Sequence, residues 1–131
     1  MAGQLDSEKI TINLGFVDLG HVDLLVREGF YRNRTDFIRT AIRNQLERHS
    51  EEARQFAKRR QLQLGLRHLS ASDLEAALKA GETLDIRVLG LVTIASDVTP
   101  ELARSAIAQI NVLGALHAPP AVKAALADRI T

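Results

Sequence analysis

The chain has 131 residues, 46% of them apolar and 25% charged, an ordinary composition for one folded domain or two very small ones. It has no cysteine, which excludes a disulfide framework, thiolate zinc sites and a cysteine nucleophile. Seventeen Lys+Arg against 16 Asp+Glu leave a net charge of +1, and taken whole this does not advertise nucleic-acid binding.

Residues Met1 to Glu8 are polar and include acids, unlike a signal peptide. The longest apolar run, Val88–Ala95 with Gly90 counted and Thr93 excused, has eight positions, far below a membrane span. The expectation is a cytoplasmic protein without membrane contact. The average charge conceals an asymmetry. Residues 29–60 hold nine basic and four acidic side chains, a local +5, whereas residues 62–131 hold six and seven. All five aromatics lie in the first 56 residues. The shift near residue 61 suggests two domains, 1–60 and 61–131.

Lys9 to Leu14 alternates polar and apolar residues. This pattern predicts a strand with Ile10, Ile12 and Leu14 on one face and Lys9, Thr11 and Asn13 on the other. A helix follows from about Asp18, an N-cap type, with an apolar stripe of Val17, Val22, Leu25 and Val26, and Gly29 ends it. Thr35 is expected to cap a second helix, with Asp36 in its first turn. The buried stripe of that helix is Phe37, Ile38, Ala41, Ile42 and Leu46, and the helix runs to about Arg48, then continues or restarts at Ser50 through Arg60. One short strand leaves its edges unpaired. The simplest remedy is a second copy, with two strands pairing antiparallel into a ribbon and four helices packed on its apolar face. The dimer core would then be Ile10, Ile12, Leu14, Ile38 and Ile42.

Lys9–Leu14, a helix to Gly29, and then Asn33-Arg34-Thr35 opening a second helix resembles the ribbon–helix–helix repressors, of Arc, MetJ and CopG type, over residues 7–49. The resemblance implies an intertwined homodimer that inserts its two-stranded ribbon into the major groove of double-stranded DNA. Lys9, Thr11 and Asn13 would contact base edges. Alternation alone would make these three the solvated face of an edge strand; the helical context favours the base-contacting reading. The resemblance also implies a phosphate held at the start of the second helix, at Thr35, with Arg32 and Arg34 adding charge beside it. With one basic residue on the outward face, base readout would be mostly polar, and dimers bound side by side would add avidity.

The second half contains a repeat. Ile86-Arg87-Val88-Leu89-Gly90-Leu91-Val92 returns 24 residues later as Ile110-Asn111-Val112-Leu113-Gly114-Ala115-Leu116, and Leu62-Gln63-Leu64 begins a weaker earlier copy. Each copy reads as a strand followed by a helix. Strands are expected near 61–68, 85–94 and 109–116. Helices are expected near 72–80, opened by a capping box at Ser72-Asp73-Leu74-Glu75, near 99–107, opened by Thr99-Pro100-Glu101, and near 120–128. The fold class is therefore α+β in the first half and α/β in the second, a short parallel solenoid resembling leucine-rich repeats. Ile86 and Ile110 would stack inward, as would Val88 and Val112. Gln63, Arg87 and Asn111 would form an outward polar ladder. The open ends of such a sheet are templates for another copy, so residues 61–131 are expected to join dimers into higher oligomers.

His21, His49, His68 and His117 show no ligand spacing, so neither metal nor cofactor is expected. No nucleophile elbow, P-loop or H-E-x-x-H occurs, and the acid pairs Asp73/Glu75 and Asp97/Glu101 read as helix-start acids, so no enzyme is expected. The expected function is a sequence-specific DNA-binding regulator associated with the nucleoid. The alternative is an antitoxin, a plasmid or chromosome partition protein, or an assembly adaptor whose second half binds a protein partner.

Overall fold

The computed structural model describes residues 7–131. The elements in chain order are helices α1 (Phe16–Arg27), α2 (Arg34–Arg48) and α3 (Ser50–Arg59), then strand β1 (Gln63–Leu69), α4 (Ala71–Lys79), β2 (Leu84–Ile94), α5 (Pro100–Ala106), β3 (Ile107–His117) and α6 (Pro120–Ala125), with a closing 3₁₀ turn at Ala127–Arg129. The fold is mixed helix and sheet. It divides into two compact units between Arg54 and Gln55.

In the first unit, α1 begins two residues earlier than Asp18 would place it. Gly15 is the N-cap, without a side-chain hydrogen bond, and Asp18 sits in the first turn. Gly29, at φ +87°, ends α1. Its N–H donates to Val26 O at 3.1 Å and that of Phe30 donates to Leu25 O at 3.0 Å, a closure that needs a left-handed residue at this point. α2 stops at His49, and the chain restarts as α3 at Ser50. Apolar burial in this unit is slight. Val22 is its one buried apolar side chain among the described residues, while Phe16, Val17, Leu24, Phe30 and Leu46 are all exposed.

The second unit is a three-stranded parallel sheet in the order β1-β2-β3, with α4, α5 and α6 lying between or after the strands. Parallel strands need a crossover connection, and the helices supply it. Ile86 pairs with Ile110 and Val88 with Val112; Ile86, Val88, Val92, Ile94 and Ile110 are buried and join Leu74, Val98, Ala103, Ala106, Val122 and Leu126 in one core. Ala103 and Ala106 are fully buried, and their small side chains let α5 lie close to the strands.

Two local features depart from expectation. The step from β1 to β2 is 25 residues, not 24: Gln63 pairs with Val88 and Gly65 with Gly90, while Gly90 pairs with Gly114. Gln63 therefore does not continue the Arg87–Asn111 row. The reason is the glycine column. The carbonyl of Gly65 occupies the space a side chain on Gly90 would fill, and the carbonyl of Gly90 does the same at Gly114, so the residues facing these carbonyls must be glycine. The capping box of α4 is also two residues earlier. Ser70 Oγ accepts from Asp73 N–H at 3.2 Å and Asp73 Oδ2 accepts from Ser70 N–H at 2.9 Å. The Ser70 backbone and side-chain hydrogen bonds hold the Asp73 carboxyl below its ordinary range. Asp97 has a similar anchoring role, accepting from Ala71 N–H at 3.2 Å. Thr99 caps α5 as expected, accepting from Leu102 N–H.

Candidate nucleic-acid interface

Lys9, Thr11 and Asn13 lie in a segment, residues 7–15, that carries no regular secondary structure. The strand expected over Lys9–Leu14 is thus not formed in the single chain. The alternating pattern is present, but a strand is defined by its ladder, and no strand among the described residues lies beside it. The three polar residues are exposed. So are their apolar neighbours, with Ile10 73%, Ile12 57% and Leu14 41% accessible.

The start of α2 is built by side chains reaching around one turn. Asn33, in extended backbone at φ −164°, places its Oδ1 2.8 Å from Asp36 N. Asp36 Oδ2 in turn accepts from Arg32 N–H at 3.0 Å. The cap is therefore Asn33 and not Thr35, which stands at the second position inside the helix. Asn33 is legible as a capping type three residues before an acid, and Thr35, a weaker capping type two residues on, competes with it in the sequence. With Asp36 N–H taken by the cap and Phe37 N–H donating to Asn33 O, the N–H groups of Arg34 and Thr35 have no acceptor among the described residues. They point out of the positive end of the helix dipole, the geometry that suits an anion.

The two candidate arginines differ. Arg34 makes a two-point ion pair with Asp23 of α1, Nε to Oδ1 at 2.7 Å and Nη2 to Oδ2 at 2.8 Å, with both side chains about half exposed. The hydrogen bond from Arg34 is the main reason that the Asp23 carboxyl sits below its ordinary range. Sequence reasoning could not see Asp23, because nothing in the pattern marks a partner eleven residues away. The Arg32 guanidinium has no partner among the described residues. Arg39 and Arg43 are exposed on α2. Ile38 is half-buried and Ile42 is 47% accessible. Tyr31 packs edge-on against Phe37 with ring centroids 5.0 Å apart, which covers the start of α2 from one side.

Residues 5–123 match the ribbon-helix-helix transcriptional regulator family. The chain belongs to this family. The match to the ribbon-helix-helix transcriptional regulators runs well past α2, through β1, β2 and β3 and into α6, so the sequence pattern of the family includes most of the second unit. No curated protein and no solved structure matches the chain. Membership supports a role in DNA binding and transcription regulation, a role that is typically non-enzymatic. No helix among the described residues is long and apolar enough to cross a membrane.

Proposed function

We propose that the chain is a homodimeric, sequence-specific DNA-binding regulator acting in the cytoplasm at the nucleoid. In this reading, domain 1–60 contributes residues 9–14 to an antiparallel ribbon shared between two copies. Lys9, Thr11 and Asn13 read base edges in the major groove. Arg32, Arg34 and the α2 start at Thr35 hold phosphate, which positions the dimer without specifying sequence. Ile10, Ile12, Leu14, Ile38 and Ile42 close the dimer core. The observation that carries the reading is the mismatch between pattern and burial. Ile10, Ile12 and Leu14 of a strictly alternating segment are exposed together with Val17 of α1 and Ile42 and Leu46 of α2, and a second copy is the arrangement that would cover them. Arg34 would exchange Asp23 for phosphate.

Selection of bound fragments from a genomic DNA pool tests the reading. Thr11→Ala with Asn13→Ala is expected to flatten sequence preference. Arg34→Ala is expected to weaken binding to all sequences and to lower the salt slope by about one. A double variant that keeps full preference for its target would refute the base-reading assignment.

A second reading concerns residues 61–131, taken as a short strand–helix solenoid that mediates assembly, whether into higher oligomers or with a protein partner as in an antitoxin, a partition protein or an adaptor. The exposed leucines of that unit, Leu64, Leu66 and Leu113, favour it. Light scattering of the full chain, alone and bound to DNA, tests it: a mass that never exceeds the dimer would exclude the higher oligomer.

A further inference from the structure

Alternation in the three strands sends every second side chain away from α4, α5 and α6. Register places these outward residues in rows. Leu64, Leu89 and Leu113 form one row, and Leu66, Leu91 and Ala115 form the next. Beyond them His68, Thr93 and His117 form a third, in which His68 Nδ1 lies 2.6 Å from Thr93 Oγ1. On the other side of the leucine rows stand Arg87 and Asn111, with Arg87 held by Asp85 at 3.1 Å. The middle of this face is aliphatic and uncharged, and its rims are polar. None of the six aliphatic residues belongs to the core. Leu64 is 84% accessible, Leu66 69% and Leu113 45%.

All-parallel sheets are found almost only with both faces covered, because neither face is then left wet. Here the helices cover one face. Size narrows what covers the other. Three strands about 4.8 Å apart and seven residues long at about 3.3 Å each give a footprint of roughly 300 Å². A free-standing specific interface takes about 800 Å² from each partner. The face is too small to capture an untethered partner, but a tether between two copies raises their effective concentration to the millimolar range, where a small contact closes.

We infer that the outer leucine face of β1, β2 and β3 packs against the same face of the second copy within the dimer, sheet on sheet, giving a helix–sheet–sheet–helix sandwich. The inference rests on the dimer proposed above. A two-fold relation fits it. The face is the same on both copies, so an isologous contact closes and adds no further subunit. The rims are compatible with either direction of the facing strands, since each can meet a polar rim of the other copy.

The absence of cysteine from the chain makes the test direct. Full-length Leu89→Cys and Ala115→Cys, both on the face, and Glu75→Cys on α4 as control are treated with a short bismaleimide, and masses are read by light scattering. Two positions guard against one variant misfolding. The expected result is a covalent dimer at Leu89→Cys and Ala115→Cys but not at Glu75→Cys. The yield should be unchanged over a tenfold dilution and should fall at least tenfold when Leu64→Lys and Leu113→Lys are added. A yield that falls in step with dilution would place the contact between separate dimers and overturn the inference. A dimeric mass with no cross-link on the face would overturn it alone and leave the face to another protein. A monomeric mass would overturn the dimer reading as well.

Discussion

The carbonyl oxygen of Gly65 lies 2.1 Å from where a β-carbon on Gly90 would stand, and Gly90 has φ +143°. Both the backbone angle and the neighbouring strand exclude a side chain there. Gly65 shares the positive φ, at +120°, but has nothing within 4 Å of its own β-carbon position. Gly65→Ala is therefore expected to lose only the conformational part, about 1–3 kcal/mol. Gly90→Ala should lose that and more, because backbone on β1 must move. Chemical denaturation of the two variants checks the order; equal losses would mean that the carbonyl contact does not constrain the sheet.

The reassigned cap makes its own prediction. Asn33→Ala is expected to cost about 1 kcal/mol of stability, the usual loss of an N-cap side chain. Thr35→Ala should stay within about 0.5 kcal/mol, as for a surface change away from such features. Thermal melts of the two variants decide. A larger loss at Thr35 would restore the cap to it.

Much of this organisation could be read beforehand, and most of the failures share a cause. α2 follows from a 3.6-residue period, although no residue of its expected buried stripe is buried in the single chain, and Gly29 and Thr99 mark helix ends through local backbone chemistry. The inward pairs Ile86–Ile110 and Val88–Val112 follow from a repeat of fixed length. Each of these signals lies within one element or in an evenly spaced copy. Apart from the caps at Asn33 and Ser70, where nearby capping types compete within one helix start, what was missed depends on contacts between elements. The 25-residue step at β1 is set by a carbonyl against Gly90. The Arg34–Asp23 pair joins two helices. The Lys9–Leu14 strand requires a ladder that one chain does not provide. The six aliphatic residues on the outer sheet face were visible as residues, but only the register shows that they share a face.

Acid should act on the Arg34–Asp23 pair in a defined direction. The Asp23 carboxyl is below its ordinary range when folded, so its contribution is present above the unfolded value, about 3.9, and is lost as pH falls through the lowered folded value. Wild type and Asp23→Asn are expected to differ by a constant amount from pH 5 to 8 and to converge below about pH 4. A difference that varied between pH 5 and 8 would point to another group. On DNA, Asp23→Asn should strengthen binding at low salt by releasing Arg34; weaker binding would mean that Asp23 orients Arg34 for its phosphate.

The dimer core can be tested by truncation. Ile→Ala at a well-packed site costs about 2–5 kcal/mol, and about 1.4 kcal/mol is tenfold in an equilibrium constant. Ile12→Ala with Ile42→Ala should therefore raise the dimer dissociation constant by at least tenfold, with loss of DNA binding in parallel. Sedimentation over a dilution series checks it. Unchanged dissociation would remove both residues from the core, whatever happens to DNA binding.

The unequal steps between strands, 25 residues and then 24, show where this half of the molecule tolerates a change in length. α4 has nine residues and α5 has seven, the connecting residues number five in each step, and one of the two extra helical residues is offset by the register shift at Leu84/Asp85, so the glycines stay aligned. A residue deleted from the turn at Gly81–Thr83 need not disturb either strand. A residue deleted between Ile86 and Gly90 would turn Ile86 outward onto the leucine face, since a one-residue slip exchanges the two sides of a strand. Insertions and deletions among relatives should therefore collect between strands, and growth of the unit should come by whole strand–helix steps.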